Sequence, residues 1–223
     1  MMATSNSRDF DLDVAELVEE AYERCGLEIK TGYDAKTARR SLNLMFADWA
    51  NRGINLWTVQ LGTQALTAGT TEYTLTADVV DLLEVVVRRD NTDFQVQRIS
   101  RSDYQNLPNK TTSGRPSSIY VDKQISPKIN LWPAPENSTD VLRYYFIQRI
   151  QDADAAINNM DAPFRFLPCM AAGLAYYLSV KKAPDRVQLL KSIYEEEFQR
   201  ASDMDQDRVP TRLTPSLDYL RIN

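Results

Sequence analysis

Between residues 11 and 26 the chain sets Val14, Leu17, Val18, Ala21, Tyr22 and Cys25 on one helical stripe. Asp13, Glu16, Glu19, Glu20 and Glu23 fall on the other. Apolar positions at that spacing predict an amphipathic helix with one buried face. Asp11 is the expected N-cap and Gly26 the expected C-cap. A second helix is predicted from near Asp34, with the stripe Ala38, Leu42, Met45, Phe46 and Trp49, and Gly53 stops it. The short link through Gly32 predicts an antiparallel helical hairpin.

After Gly53 the period changes from helical to alternating. Trp57, Val59 and Leu61 alternate with Thr58 and Gln60, and Tyr73 and Leu75 flank Thr74. Strand-like runs follow at 82–89, 94–99, 118–122, 128–132 and 141–148, separated by "AGTT", "RDNTD", "SGRPSS" and "PAPENST". Residues 101–108 read as a single helical turn. Successive short strands without long intervening helices predict an antiparallel sheet or a small sandwich.

Helical periodicity returns after Asp161. Phe166, Leu167, Met170, Leu174 and Leu178 form a stripe, with Pro163 and Pro168 in its first turns. Residues 171–173, "AAG", offer a small-residue surface for close packing. Pro184 opens a last helix with Val187, Leu190, Tyr194, Phe198 and Ala201 facing inward and Glu195, Glu196 and Glu197 outward. Lys181 and Lys182 sit where a helix dipole favours cations.

The predicted fold class is therefore α+β. Helices from both ends form one bundle, an antiparallel β lobe is inserted between them, and an extended tail follows. The expected division is a flexible N-terminus (1–10), a helical hairpin (11–54), the β lobe (55–150), C-terminal helices completing the bundle (151–206) and a tail (207–223). The tail carries Arg208, Arg212 and Arg221 with Leu213, Leu217, Tyr219, Leu220 and Ile222. It has no helical period. Two readings are open: it wraps its own domain, or it docks as an extended peptide on a partner.

The stretch "DWANRGINLWTV" forms an aromatic corner. Trp49 ends the helical stripe, Gly53 permits the left-handed cap, and Trp57 begins the strand region. The expected role is a structural joint that locks the β lobe onto the hairpin. Such a joint suits a part that transmits force, and an ordinary core explains it equally well.

Composition narrows the chemistry. Acids outnumber bases 31 to 26, for a net charge of -5. That argues against a protein that works by neutralising phosphates. The chain has no histidine, which removes the Ser-His-Asp and Cys-His machineries and most zinc sites. Seven glycines leave little room for a phosphate loop. Cys25 and Cys169 sit in apolar helical stretches and read as buried thiols. No N-terminal signal-like run and no apolar segment of about 20 residues occurs, so the expectation is a soluble chain folding in a cytoplasm. No cofactor and no metal is expected.

Carboxylates remain. A glycosidase needs two, flanking the scissile bond. Glu19, Glu20, Glu23 and Glu195–Glu197 are candidates by type, but their helical spacing reads as solvated surface. Arg39 and Arg40 lie opposite the stripe of the second helix. They are expected to pair with the acidic face of the first helix (Glu16, Glu19, Glu20, Glu23), within the chain or on a neighbouring copy.

Three segments carry a family resemblance. "RSLNLMFADWANRGINLWTV" (40–59) resembles the helix-to-strand signature of head-to-tail adaptor proteins of short-tailed phages. These are also called tail tubular protein A, or head-completion and DNA-stabilisation proteins. "RPSSIYVDKQISPKINLWPAP" (115–135) is similar to that family's paired strands closing in Leu-Trp-Pro-x-Pro. "MDAPFRFLPCMAAGLAYYLS" (160–179) is similar to its late helix. In order, the resemblance spans about residues 11–205. It implies a homo-oligomeric ring, a dodecamer, in the virion neck under the portal protein. The ring extends the double-stranded DNA channel, retains the genome, and presents a platform for the nozzle protein and tail fibres. It also implies that the C-terminal segment reaches into the portal. The resemblance leaves one alternative, an adaptor-like protein with a peptidoglycan-hydrolase side activity.

Overall fold

The computed structural model describes residues 6–7, 9–53 and 56–205. Two helices open the chain, α1 (Val14–Arg24) and α2 (Gly32–Arg52). A 3-10 turn, Leu56–Thr58, leads into strands β1 (Val59–Ala65), β2 (Glu72–Thr74), β3 (Val79–Arg89), β4 (Thr92–Gln95) and β5 (Gln97–Arg98). The short helix α3 (Arg101–Asn106) precedes β6 (Ser113–Gly114), β7 (Ser118–Asp122), β8 (Lys128–Trp132), β9 (Ala134–Pro135) and β10 (Val141–Gln148). The chain then returns to helix in α4 (Leu167–Lys182) and α5 (Val187–Met204), each entered through a 3-10 turn.

The helix boundaries follow from capping chemistry. Asp13, not Asp11, caps α1. Its carboxylate accepts from the Glu16 amide at 2.8 Å, and Glu16 reaches back to the Asp13 amide. This reciprocal capping box satisfies two otherwise orphaned donors. The Asp11 carboxylate accepts instead from the Leu12 amide and the Asn159 side chain. Cys25, not Gly26, is the C-cap of α1, and Gly26 follows it at φ +69°. Helix α2 starts earlier than the expected Asp34, because Thr31 caps it and Asp34 closes the box from the third helical position. Trp57 lies in the 3-10 turn, so the strand begins only at Val59.

Helix α4 is central. It buries residues on every face, among them Leu167, Cys169, Met170, Ala172, Leu174, Ala175 and Leu178. It packs against α1, α2 and α5. Gly173 makes the close approach feasible: a Cβ there would lie 2.4 Å from the Met45 sulfur and 2.8 Å from the Tyr194 ring. The helical core draws on 14–49 and on 150–201, so both ends of the chain build it together.

The β part has a separate core. One four-stranded sheet runs β1-β10-β3-β4 and is antiparallel throughout, and a second runs β2-β8-β7-β5. The expected antiparallel character holds except at two short parallel pairs, β5 with β7 and β6 with β9. Leu82, Val85, Val87, Leu142 and Tyr144 of the first sheet share one core with Tyr73, Ile119, Val121, Ile129 and Leu131 of the second. The β3–β4 hairpin turns at Asp90 and Asn91, both at positive φ. Such a two-residue turn matches the strand twist, and Asp and Asn tolerate the left-handed region. Arg89, at the end of β3, pairs with the fully buried Asp140 at 2.7 Å and with Glu136 at 2.6 Å.

Candidate functional site

The aromatic corner is built from three distant segments. Trp49 is fully buried in α2, and its indole N–H donates to the Tyr194 hydroxyl of α5 at 2.9 Å. Burial pushes the Tyr194 hydroxyl well above the usual tyrosine range, so it stays neutral. Phe166, just before α4, lies 5.4 Å from Trp49 and 4.5 Å from Trp57, centroid to centroid. Trp57 is half-buried, and its N–H donates to the Asp161 carbonyl at 3.0 Å. Trp49, Phe166 and Trp57 thus form a run of tilted ring contacts beside the helical core, with an indole hydrogen bond at each end. Gly53 caps α2 at φ +76°, and its amide bonds the carbonyls of Trp49 and Ala50.

Several residues of the joint had no signal in the sequence. Asp205, immediately after α5, has a side chain only 1% exposed. It accepts from the Leu56 amide at 3.1 Å and pairs with Arg165. It therefore ties the end of the last helix to the start of the β lobe and to the turn before α4. Arg52 stacks its guanidinium over Phe198 at 4.5 Å and pairs with Asp48 at 2.8 Å and Glu195 at 3.0 Å. Neither Asp205 nor Arg52 sits on a hydrophobic stripe, so periodicity could not mark them.

Both thiols are buried. The Cys25 S–H donates to the Ala175 carbonyl at 3.2 Å, and burial raises its pKa. Burial pushes the Cys169 thiol up to about 12. Near the start of α2, Asp34 accepts from Thr31 and Lys30 and pairs with Lys182 of α4. The Lys182 ammonium and these hydrogen bonds hold its carboxyl at about 2.

Within one chain the acidic and basic sets of the two helices lie in different grooves. Glu16, Glu19, Glu20 and Glu23 line one open groove of about 500 Å³, whose opposite wall is Leu167, Pro168 and Ala171. Arg39 and Arg40 line another, of about 690 Å³, with Lys36, Arg149, Leu44 and Val80. No ion pair joins the two sets among the described residues: Glu20 pairs with Arg24 at 2.7 Å, and Arg39 donates to the Asp154 carbonyl. Residues on one helix surface turn their heads to solvent, and the nearest partners are local. The acidic groove presents carboxylates from one wall only. A glycosidase needs them on both sides of the bond, so this geometry does not favour glycoside hydrolysis.

The tail residues Arg208, Arg212, Leu213, Leu217, Tyr219, Leu220, Arg221 and Ile222 lie outside the described residues, as do residues 1–5 and 8 of the expected flexible N-terminus. Among the described residues no helix is long and apolar enough to cross a membrane.

The SU10 adaptor protein family matches residues 12–216, which covers both helical ends, the β lobe and part of the tail. The chain belongs to the SU10 adaptor family. It is a phage adaptor, a structural component of the virion that binds other phage structural proteins. The resemblance drawn from the three sequence segments pointed to the same class. No curated protein matches the chain significantly.

Proposed function

We propose that this adaptor is the head-to-tail connector of a short-tailed phage. It forms a dodecameric ring below the portal, extends the DNA channel, retains the packaged genome and carries the nozzle and tail fibres. The observation that carries the reading is the family match across 12–216, which runs past the last helix into the tail. The excess of acids over bases accords with a channel that lets DNA pass without holding it.

In this reading residues 208–223 dock on the portal as an extended peptide. Asp205 supports that role. Its bonds to Leu56 and Arg165 give the tail a fixed starting point on the joint. The test is removal of 208–223 followed by mass photometry with the cognate portal. The truncated chain is expected to remain folded and to lose portal binding. Unimpaired binding would sink the docking role of the tail.

A further inference from the structure

Two grooves on this chain complement one another and are not used against each other within it. The basic one lies between α2 and the segment leaving the β lobe. It carries Lys36 and Arg40, neither of which makes an ion pair among the described residues, around exposed Leu44 and Val80. The acidic one lies between α1 and the start of α4. It carries Glu16, Glu19, Glu20 and Glu23 beside exposed Phe10, with Arg24 of the same helix paired to Glu20 at 2.7 Å. Each face thus sets apolar side chains among charges mostly of one sign, with Asp152 the minority charge in the basic groove and Arg24 in the acidic one, which is the anatomy of a protein interface with an apolar centre and a charged rim.

We infer that the basic groove of one copy receives the acidic α1 face of the next, and that this is the contact between neighbours in the ring. The inference rests on the ring reading above and adds which surfaces meet. Two different patches on one chain, each fitting the other, make a head-to-tail contact, and such contacts close into rings when the rotation allows. Opposite charge steers the encounter and fixes the register. Nucleic acid fits the basic groove less well. Its lining includes Leu44, Val80 and Asp152, and Asp152 pairs with Arg149, so the surface is no continuous basic track. Within one chain Glu19 and Arg39 both line a small cleft of about 280 Å³ at the α1–α2 seam.

The experiment is a charge swap. One variant carries Lys36→Glu with Arg40→Glu, and the other carries Glu20→Lys with Glu23→Lys. All four positions are on the surface, and circular dichroism checks that each variant folds. Mass photometry is run on wild type, on each variant alone and on their equimolar mixture, each with purified portal. The wild type is expected to form rings, each variant alone to remain monomeric, and the mixture to regain rings. In that mixture every altered groove meets an altered α1 face. Rings from both variants alone would overturn the interface while leaving the ring standing. No ring from the wild type, with or without portal, would instead overturn the ring reading itself. Intact rings combined with loss of binding to a labelled DNA duplex in the Lys36→Glu/Arg40→Glu variant would reassign the groove to nucleic acid and overturn the inference.

Discussion

The helical core takes its residues from 14–49 and again from 150–201, whereas every member of the β core lies between Leu66 and Tyr144. The first core exists only when the two ends of the chain meet. Its largest side chains are aromatic, and its key hydrogen bond, Trp49 to Tyr194, spans most of the sequence. The second core is sequence-local. It is filled mainly by Val, Leu and Ile, and its ladders join β10 to β1 and β3. An insertion that folds around its own core imposes little on the helices beyond the distance between its ends. The Trp49–Phe166–Trp57 contacts lie on the helical side, where the chain enters the β part.

The sharpest way to break this comparison is Trp49→Ala. It removes a fully buried ring and leaves the Tyr194 hydroxyl without its donor. A loss of about 3–5 kcal/mol is expected from denaturant unfolding. Hydrogen exchange should show early opening of α2, α4 and α5, with β3 and β10 still protected. Equal loss of protection in both parts would show that the two cores unfold as one.

Gly173→Ala probes the closing of the ends more finely. The added methyl meets Met45 and Tyr194, and a cost of about 1–3 kcal/mol is expected for overpacking. A neutral substitution would mean that α2 and α5 yield easily around α4. Trp57→Ala tests the Trp57–Phe166 contact itself. Because Trp57 is half-buried, about 1–2 kcal/mol is expected, less than for a fully buried tryptophan. A change under about 0.5 kcal/mol would place the weight of the joint on Asp205 and Arg165 instead.

The smallest expected effect is on pH dependence. Asp34 holds its carboxyl at about 2 in the folded chain, against 3.8 ordinarily. A lowered folded pKa gives stability that is present above the unfolded value and lost as pH falls toward the folded one. Stability should therefore fall between about pH 4 and 2 through this group, and Asp34→Asn should flatten that part of the curve. Unchanged curves would show that the Lys182 pair adds nothing to the closing of α2 on α4.

Much of this architecture is legible in the sequence. The stripes of α1 and α2 are buried, and Trp49 and Trp57 both lie against Phe166. The acidic and basic helix faces were visible as well, and within one chain no ion pair joins them among the described residues. A helical wheel shows that Glu20 and Arg40 point outward from their own helices. It cannot show that the grooves they line are separate.

Periodicity thus determined which residues are buried and in what kind of element, because a helix or strand presents the same face at a fixed spacing whatever surrounds it. Capping residues set the helix ends to within a few positions, because a cap is satisfied by neighbours in sequence. The tertiary structure alone decided that α4 is the central helix, that two sheets share one core, and that Asp205 is buried beneath the joint. It alone decided where Phe166 would stand between two tryptophans. Those contacts join segments far apart along the chain, and their energy depends on how the ends close, which no local pattern encodes.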